Sequence, residues 1–252
     1  MRRTPDGGRR HVGFKDLFSS GGRGRARLER SIKTTTSQYA QSPDRYLAME
    51  RLLEDGSTEA LVGLLRRFTI AASKSIEDEE EKGWVYRRLC ALGKEVLPAL
   101  REFSLKYDNI AWALRILEEV ANEDEEWEML DALVEDNPPE YARDPSKKIQ
   151  VLTHIFDIDD PRVSGILARF LADPDEGVRY FAADSLVKVG EDPCAAPLVA
   201  HLLAGSEDSL RIKTRIQDGL AEHGWDLSAW AETLPAHLDS EHRFEGNKII
   251  KV

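Results

Sequence analysis

Apolar residues recur every three or four positions between residues 42 and 238, a spacing that predicts a series of amphipathic α-helices. The clearest case is segment 58–70, whose apolar positions follow the i, i+3, i+4, i+7 pattern of one helix face: Leu61, Leu64, Leu65 and Phe68. Proline follows a capping side chain at the start of the first of these helices, at Ser42-Pro43, which is a usual helix start. The pattern therefore predicts helices separated by short loops.

The predicted helices form pairs. Their bounds are 44–54 with 58–70, a helix around Trp84–Leu92 with 95–106, 109–121 with 124–135, 146–157 with 161–172, 175–189 with 194–204, and 208–222 with 226–238. A helix is also expected over about 24–39, and the end of the chain, 243–252, is too short to classify.

The later pairs repeat one another in sequence. A shift of 32 residues places Asp160-Pro161 on Asp192-Pro193 and Val178-Arg179 on Leu210-Arg211. A period of this size with two helices per unit is typical of stacked helical hairpins, none of which buries its apolar face alone. The repeat therefore predicts an architecture that presents surface to a partner.

The run Asp-Pro-Asp-Glu-Gly-Val-Arg-Tyr-Phe-Ala-Ala-Asp-Ser-Leu-Val-Lys-Val-Gly, at 173–190, resembles the consensus of the short bacterial HEAT repeat. The resemblance is good over 160–224, moderate over 43–135, and absent before 40 and after 238. It implies an all-α, right-handed α-α superhelix, a HEAT-like solenoid of about six helical hairpins. By the same resemblance, Arg179 and Arg211 should hydrogen-bond neighbouring turns and acidic caps such as Asp175 and Asp208.

This interpretation divides the chain into three segments. Residues 1–40 form a basic, partly disordered N-terminal arm with a capping helix, 41–238 form the HEAT-repeat solenoid, and 239–252 form a C-terminal tail. Residues 1–33 hold ten basic and three acidic side chains, while the remaining 219 residues hold 25 basic and 43 acidic ones. So acidic a body repels phosphate backbones. Nucleic-acid binding by the body is therefore disfavoured, and only the arm is suited to an anionic surface.

Candidate catalytic and metal-binding chemistry finds little support in the sequence. None of the six histidines is followed by glutamate or forms a His-Glu-x-x-His motif. The Gly-rich segment 21–25 lacks the Gly-Lys-Ser/Thr ending of a phosphate-binding loop. The acidic run 77–81 is interpreted as a solvated first turn, and Cys90 and Cys194 as small buried residues in a reducing cytoplasm. No cofactor is expected.

Two enzyme classes share the predicted fold and remain as alternatives. Alkylpurine DNA glycosylases use a basic groove lined with aromatic residues, and phycobilin lyases share the short repeat type. The acidic body disfavours the glycosylase class, because it repels the phosphates of DNA. Tryptophans at helical spacing also belong more often to a core than to a base-binding surface. No residue specifically indicates the second.

The favoured function is a non-enzymatic, cytoplasmic adaptor that holds a protein partner, of unknown identity, on the inner surface of the solenoid. No stretch of 18 apolar residues is present, so no transmembrane segment is expected. In HEAT solenoids the second helix of each pair lines the concave side. Helical projection of these helices places four arginines on their exposed faces, as a candidate protein-binding row: Arg66, Arg67, Arg101 and Arg169.

Overall fold

The computed structural model describes residues 20–252, with side chains from residue 23 onward. The expected disorder at the start of the arm therefore lies outside the described residues. The chain divides into two compact units: the first ends at Phe103, and the second runs from Ser104 to Val252. Among the described residues nearly all regular structure is helical, which confirms the all-α prediction.

The first unit contains four α-helices and the start of a fifth, and its core lies between them. They are α1 (Ser20–Thr35), α2 (Ser42–Asp55), α3 (Thr58–Leu65), α4 (Ser75–Cys90) and α5 (Leu97–Lys106), with 3-10 helices at Arg66–Thr69 and Gly93–Val96. Helix α1 packs against both α2 and α3, and α2 also packs against α4. The predicted apolar stripe of 58–70 is buried, since Leu61, Leu64, Leu65 and Phe68 are each at most 4% exposed.

The second unit contains the later helix pairs. They are α6 (Ala111–Val120), α7 (Glu123–Asp136), α8 (Ser146–Phe156), α9 (Arg162–Arg169), α10 (Glu176–Val189), α11 (Ala195–Leu203) and α12 (Leu210–His223), with 3-10 helices at Phe170–Ala172 and Asp192–Cys194. Local sequence explains several boundaries. Asn122 and Glu125 form a reciprocal capping box at the start of α7, and Gly190 ends α10 in the left-handed conformation.

Alternate helices of the second unit pack against one another. Helix α6 contacts α8, α8 contacts α10, and α10 contacts α12, while α8 also contacts α7 and α9, α10 contacts α9, and α12 contacts α11. Small residues allow this close approach: a Cβ on Gly219 of α12 would lie 2.4 Å from a methyl group of Val187 on α10. The first helices of successive pairs therefore stack side by side within this unit.

Near the C-terminus, one predicted helix is wrong and the segment left unclassified has a regular structure. The expected helix 226–238 is wrong, because this segment forms only the short 3-10 helices Ser228–Trp230 and Leu234–His237. Pro235 lacks the amide hydrogen that an α-helix needs at that point, and its ring clashes with the preceding turn. The unclassified end is an antiparallel hairpin of β1 (His242–Glu245) and β2 (Lys248–Lys251), joined by Gly246 and Asn247, both at positive φ.

Candidate functional site

The predicted arginine row is the first candidate site, and the structure removes one member from it. Arg67 is wholly buried, so the prediction that it is exposed is wrong. Helix α3 ends at Leu65 and tightens into a 3-10 helix, which turns about 120° per residue instead of 100°. This change of pitch turns Arg67 towards α4, where its guanidinium donates hydrogen bonds to the carboxylates of Glu81 and Asp78.

The other three arginines of the row are more accessible. Arg66 is half-buried and Arg101 is exposed, both in the first unit. Arg169 lies in the second unit, and its guanidinium pairs with Glu135 at 3.0 Å on the surface. Each of the three already has an interaction within the chain, so none of these guanidinium groups is without a partner.

Arg67 belongs to a buried ion network that sequence reasoning missed. Glu81 accepts hydrogen bonds from Arg45 Nε at 2.8 Å, Arg67 Nε at 2.9 Å and Ser42 Oγ at 2.8 Å. Asp78 accepts from Arg67 Nη2 at 2.6 Å and from the backbone N–H of Ala72 at 2.7 Å. The network ties α2, the 3-10 helix after α3, and α4 together.

The carboxylates of this network remain charged. Burial by itself would raise the pKa of Glu81, but hydrogen bonds from Arg45, Ser42 and Arg67 outweigh it and lower that pKa. The interpretation of 77–81 as a solvated first turn is therefore wrong for Asp78 and Glu81. With all their oxygens committed to arginines, a lysine or the backbone, these carboxylates act as structural anions.

A second network joins the turns before α10 and α12. Arg179 donates to both oxygens of Glu207, at 2.8 and 3.0 Å, and to the carbonyl oxygens of Asp173 and Pro174. Burial would raise the pKa of Glu207, but the bonds from Arg179, the Ser209 N–H and His201 lower it to about 2. The expected turn contact of Arg179 is confirmed, and its guanidinium also lies 3.6 Å from Asp208.

The remaining repeat arginine differs from expectation in its partner. Arg211 pairs with Glu176 at 2.7 Å, whereas the Asp175 side chain caps the backbone N–H of Val178. Arg211 also lies over the ring of Tyr180, at 3.9 Å from its centroid. Both arginines thus connect consecutive first helices, which is a structural role.

A groove between α1 and α2 has a different character, because its cations are not neutralised. It encloses about 590 Å³ and is lined by residues of both helices: Arg27, Arg30, Ser31, Thr34, Asp44, Leu47 and Arg51. Among the described residues, neither Arg27 nor Arg51 forms an ion pair. A smaller adjoining groove of about 300 Å³ shares Arg27, Ser31 and Arg51.

The floor of this groove combines one apolar and one polar feature. Leu47 is 47% exposed, although its helix packs against α1, α3 and α4. Ser31 is only 5% exposed as a residue, but its hydroxyl is not one of the buried unpaired atoms of the described residues. Because Ser31 lines the groove, this hydroxyl is open to water or to a ligand. We call Arg27, Arg30, Ser31, Leu47 and Arg51 the basic groove.

Sequence reasoning assigned Arg27 and Arg30 to the N-terminal arm and its capping helix, and Arg51 to the first helix of the solenoid, without identifying a groove. The signal was present in part: Leu28 and Ile32 define the packed face of the predicted helix, and helical periodicity places Arg27 and Arg30 outside that face. The contribution of Arg51 and Leu47 required knowledge that α2 packs beside α1, which no local pattern provides.

Other candidates have structural explanations. Cys194 is buried, as predicted, whereas Cys90 is only half-buried. His201 is half-buried against Glu207 at 2.9 Å, and Trp127 and Trp225 are buried, while the other three tryptophans are half-buried. Within residues 20–252 no cluster of three or more His, Cys, Asp or Glu side chains has the arrangement of a metal site.

Neither a protein-family model nor a curated protein matches this chain. In the part of the chain that the structure describes, no helix combines the length and apolarity that a membrane span requires. The candidate site is therefore defined by the geometry and chemistry of its own residues.

Proposed function

We propose that this protein is an adaptor of the HEAT-repeat type that binds an acidic segment of a protein partner in the basic groove. The observation that carries the proposal is the pair of uncompensated guanidinium groups, Arg27 and Arg51, facing one groove beside the exposed Leu47. Planar guanidinium groups bind carboxylates through two parallel hydrogen bonds. The half-apolar floor adds contact area that a purely ionic surface lacks.

The stacking within the second unit supports the repeat character of the proposal. Hydrogen bonds join residues about one repeat apart: Arg215 to Asp184 across 31 positions, Ser209 to Glu176 across 33, and His223 to Val187 across 36. In solenoids each repeat contacts its neighbours, so contacts recur at the repeat length. We extend this arrangement to a right-handed superhelix of the whole helical series.

A protein partner suits the groove better than a nucleic acid does. Asp44 lines the groove itself, and Glu54 and Asp55 line its smaller neighbour, so acids lie close to the arginines. Such a mixed surface repels a polyphosphate, which needs a continuous basic track. A partner segment can instead place its acids on the arginines and its neutral residues beside Asp44. We also propose a reducing, cytoplasmic location, which the use of only two cysteines in 252 residues supports.

The test is affinity capture from the native cell with the full-length tagged protein and a charge-reversal variant of the groove. The variant Arg27→Glu/Arg30→Glu/Arg51→Glu should lose the partners that the natural sequence retains. The matched control, Arg143→Glu/Arg243→Glu/Lys248→Glu, makes the same change of net charge at exposed sites of the second unit and should retain them.

Two outcomes would contradict the proposal. If the groove variant retains every partner, the basic groove is not the binding site. A third variant, Arg66→Glu/Arg101→Glu/Arg169→Glu, tests the row predicted from the sequence. Loss of partners in that variant alone would place the binding surface on the second helices of the pairs.

A further inference from the structure

We infer that the basic groove, if it binds an acidic protein segment as proposed above, selects one in extended conformation with an acidic residue two positions from a large apolar residue. The inference concerns the partner's motif and rests on the proposed function. Its basis is the order of charged, apolar and hydrogen-bonding groups along α1 and α2.

The two helices run antiparallel along the groove, so their residues pair in opposite order. The smaller groove places Arg27 and Leu28 beside Arg51 and Leu52, whereas the larger one extends to Thr34 and Asp44. Arg27 and Arg51 thus face each other across the groove, with Glu54 and Asp55 beyond them at one end and Asp44 at the other. A bound segment therefore places its acid on the two arginines, between the carboxylates of the two ends.

The apolar position lies one helical turn from the two arginines. Leu47 precedes Arg51 by four residues, which corresponds to about 6 Å along the helix axis. An extended chain advances about 3.3 Å per residue, so an acid on the arginines puts the side chain two positions away above Leu47. In an extended chain, residues two apart also point to the same side.

Ser31 favours an extended ligand over a helical one. It lies one turn after Arg27 on α1 and lines both parts of the groove, where its hydroxyl is open to a ligand. A helical ligand satisfies its own backbone groups, whereas an extended segment has free N–H and C=O groups that need partners. The hydroxyl of Ser31 both donates and accepts, so it can pair with either group.

The chain's own N-terminal segment is a poor occupant for the groove. Residues 1–19 carry five basic side chains (Arg2, Arg3, Arg9, Arg10 and Lys15) against Asp6 and Asp16, so their net charge has the same sign as the arginines. The groove therefore suits a segment of opposite charge from another protein.

The experiment measures binding of fluorescein-labelled peptides to the full-length protein by anisotropy. The reference peptide is Gly-Glu-Glu-Ser-Leu-Ser-Gly. One comparison peptide replaces its leucine by serine, a second replaces both glutamates by glutamine, and a third moves the leucine one position later, so that neither glutamate lies two positions from it. We expect the reference peptide to bind at least about tenfold more tightly than each of the three, a factor well within reach of one apolar and two ionic contacts.

Protein variants connect the motif to its residues. Leu47→Ala should remove the advantage of leucine over serine, whereas Leu210→Ala, a change at a leucine that is 77% exposed in the second unit, should preserve it. Ser31→Ala should weaken the reference peptide and its serine analogue by a similar factor, since it removes a backbone contact common to both.

The outcomes separate this inference from the proposed function. Equal binding of the leucine and serine peptides, or equal binding after the leucine is moved, would overturn the motif while the groove remains an acid-binding site. No binding of any peptide up to about 1 mM, a free energy near −4 kcal/mol, would also overturn the motif. Tighter binding of a phosphoserine peptide or of an RNA oligonucleotide would assign the groove to another ligand class. Partner capture decides the proposed function independently.

Discussion

Glu81 shows how a single side chain organises the first unit. Its carboxylate has no exposed surface and lies between two arginines that are also buried, Arg45 and Arg67. Taking three charges out of water is costly unless each is paired and hydrogen-bonded, and this geometry meets that condition. In the acidic run that contains Glu81, the two buried positions, Asp78 and Glu81, are three residues apart, whereas Glu79 and Glu80 between them are exposed. The reason is that α4 turns only one of its faces to the other helices.

Replacing Glu81 with glutamine should therefore destabilise the protein strongly. The change leaves Arg45 without its main counter-ion and Arg67 with Asp78 alone, and breaking a buried pair in this way typically costs about 3–5 kcal/mol. Urea unfolding followed by circular dichroism measures the loss. Glu80→Gln, at the exposed neighbouring position, is the matched control and should change stability by less than about 0.5 kcal/mol. Similar losses in both variants would refute the network's role.

Glu207 should make stability depend on acid pH. Its pKa is lowered from 4.5 to about 2 in the folded state, so the unfolded chain binds the proton more readily. The associated stabilisation, about 3 kcal/mol, is present above about pH 5 and is lost as the pH falls towards 2. The stability difference between the natural protein and Glu207→Gln should therefore be large at pH 5.5 and small at pH 2.5. A pH-independent difference would argue against this assignment.

At the scale of elements, close helix contacts depend on glycine. A Cβ on Gly63 of α3 would lie 2.5 Å from Ile32 of α1, whereas one on Gly165 of α9 would meet nothing within 4 Å. Both glycines lie inside helices, where alanine is favoured by about 1 kcal/mol when space permits. The position of α1, and with it the basic groove, thus depends on the absence of a side chain at residue 63.

Alanine substitution should have opposite effects at these two positions. Gly165→Ala should stabilise the protein by up to about 1 kcal/mol through helix propensity. Gly63→Ala should destabilise it by about 1–3 kcal/mol, because overpacking forces α1 away from α3. The same variant should weaken binding of the acidic peptide. Thermal unfolding of both variants provides the measurement, and a stabilised Gly63→Ala protein would show that α1 does not pack as closely as described.

The molecule as a whole consists of two compact units, each with a core of its own. Leu52, Leu64 and Phe103 are fully buried in the first, and Leu130, Leu186 and Leu220 in the second. The free energy of local opening differs from region to region of a protein, so damage to one unit need not spread evenly along the chain. The first unit contains the basic groove and the Glu81 network, which links stability there to the proposed binding site.

Hydrogen exchange should detect this separation. In the Glu81→Gln variant, amide exchange should accelerate in α2, α3 and α4 much more than in α10 and α12. The reason is that loss of an ion network raises the population of local opening where the network lies. Mass spectrometry of peptides from the exchanged protein resolves the two regions, with Glu80→Gln as the reference. Uniform acceleration along the chain would indicate one cooperative structure.

The sequence by itself determined the all-α class and the existence of eleven predicted helices from residue 42 to 222. Their signal is local, since apolar spacing, capping residues and helix-ending glycines act within a few residues of one another. The resemblance to the HEAT repeat also implied the turn contacts of Arg179, which lie five and six residues away along the chain. The Gly246–Asn247 turn carried a hairpin signal of the same local kind, although residues 243–252 were left unclassified.

Tertiary structure alone decided which charged residues are buried and where the candidate site lies. Arg67 and Glu81 look like exposed residues in their own segments and become buried only because α2, α3 and α4 converge on them. Arg27 and Arg51 lie 24 positions apart and form one groove only because α1 folds back beside α2. Helical periodicity gives the direction in which each side chain points from its own helix. Which other helix lies in that direction depends on the packing between elements.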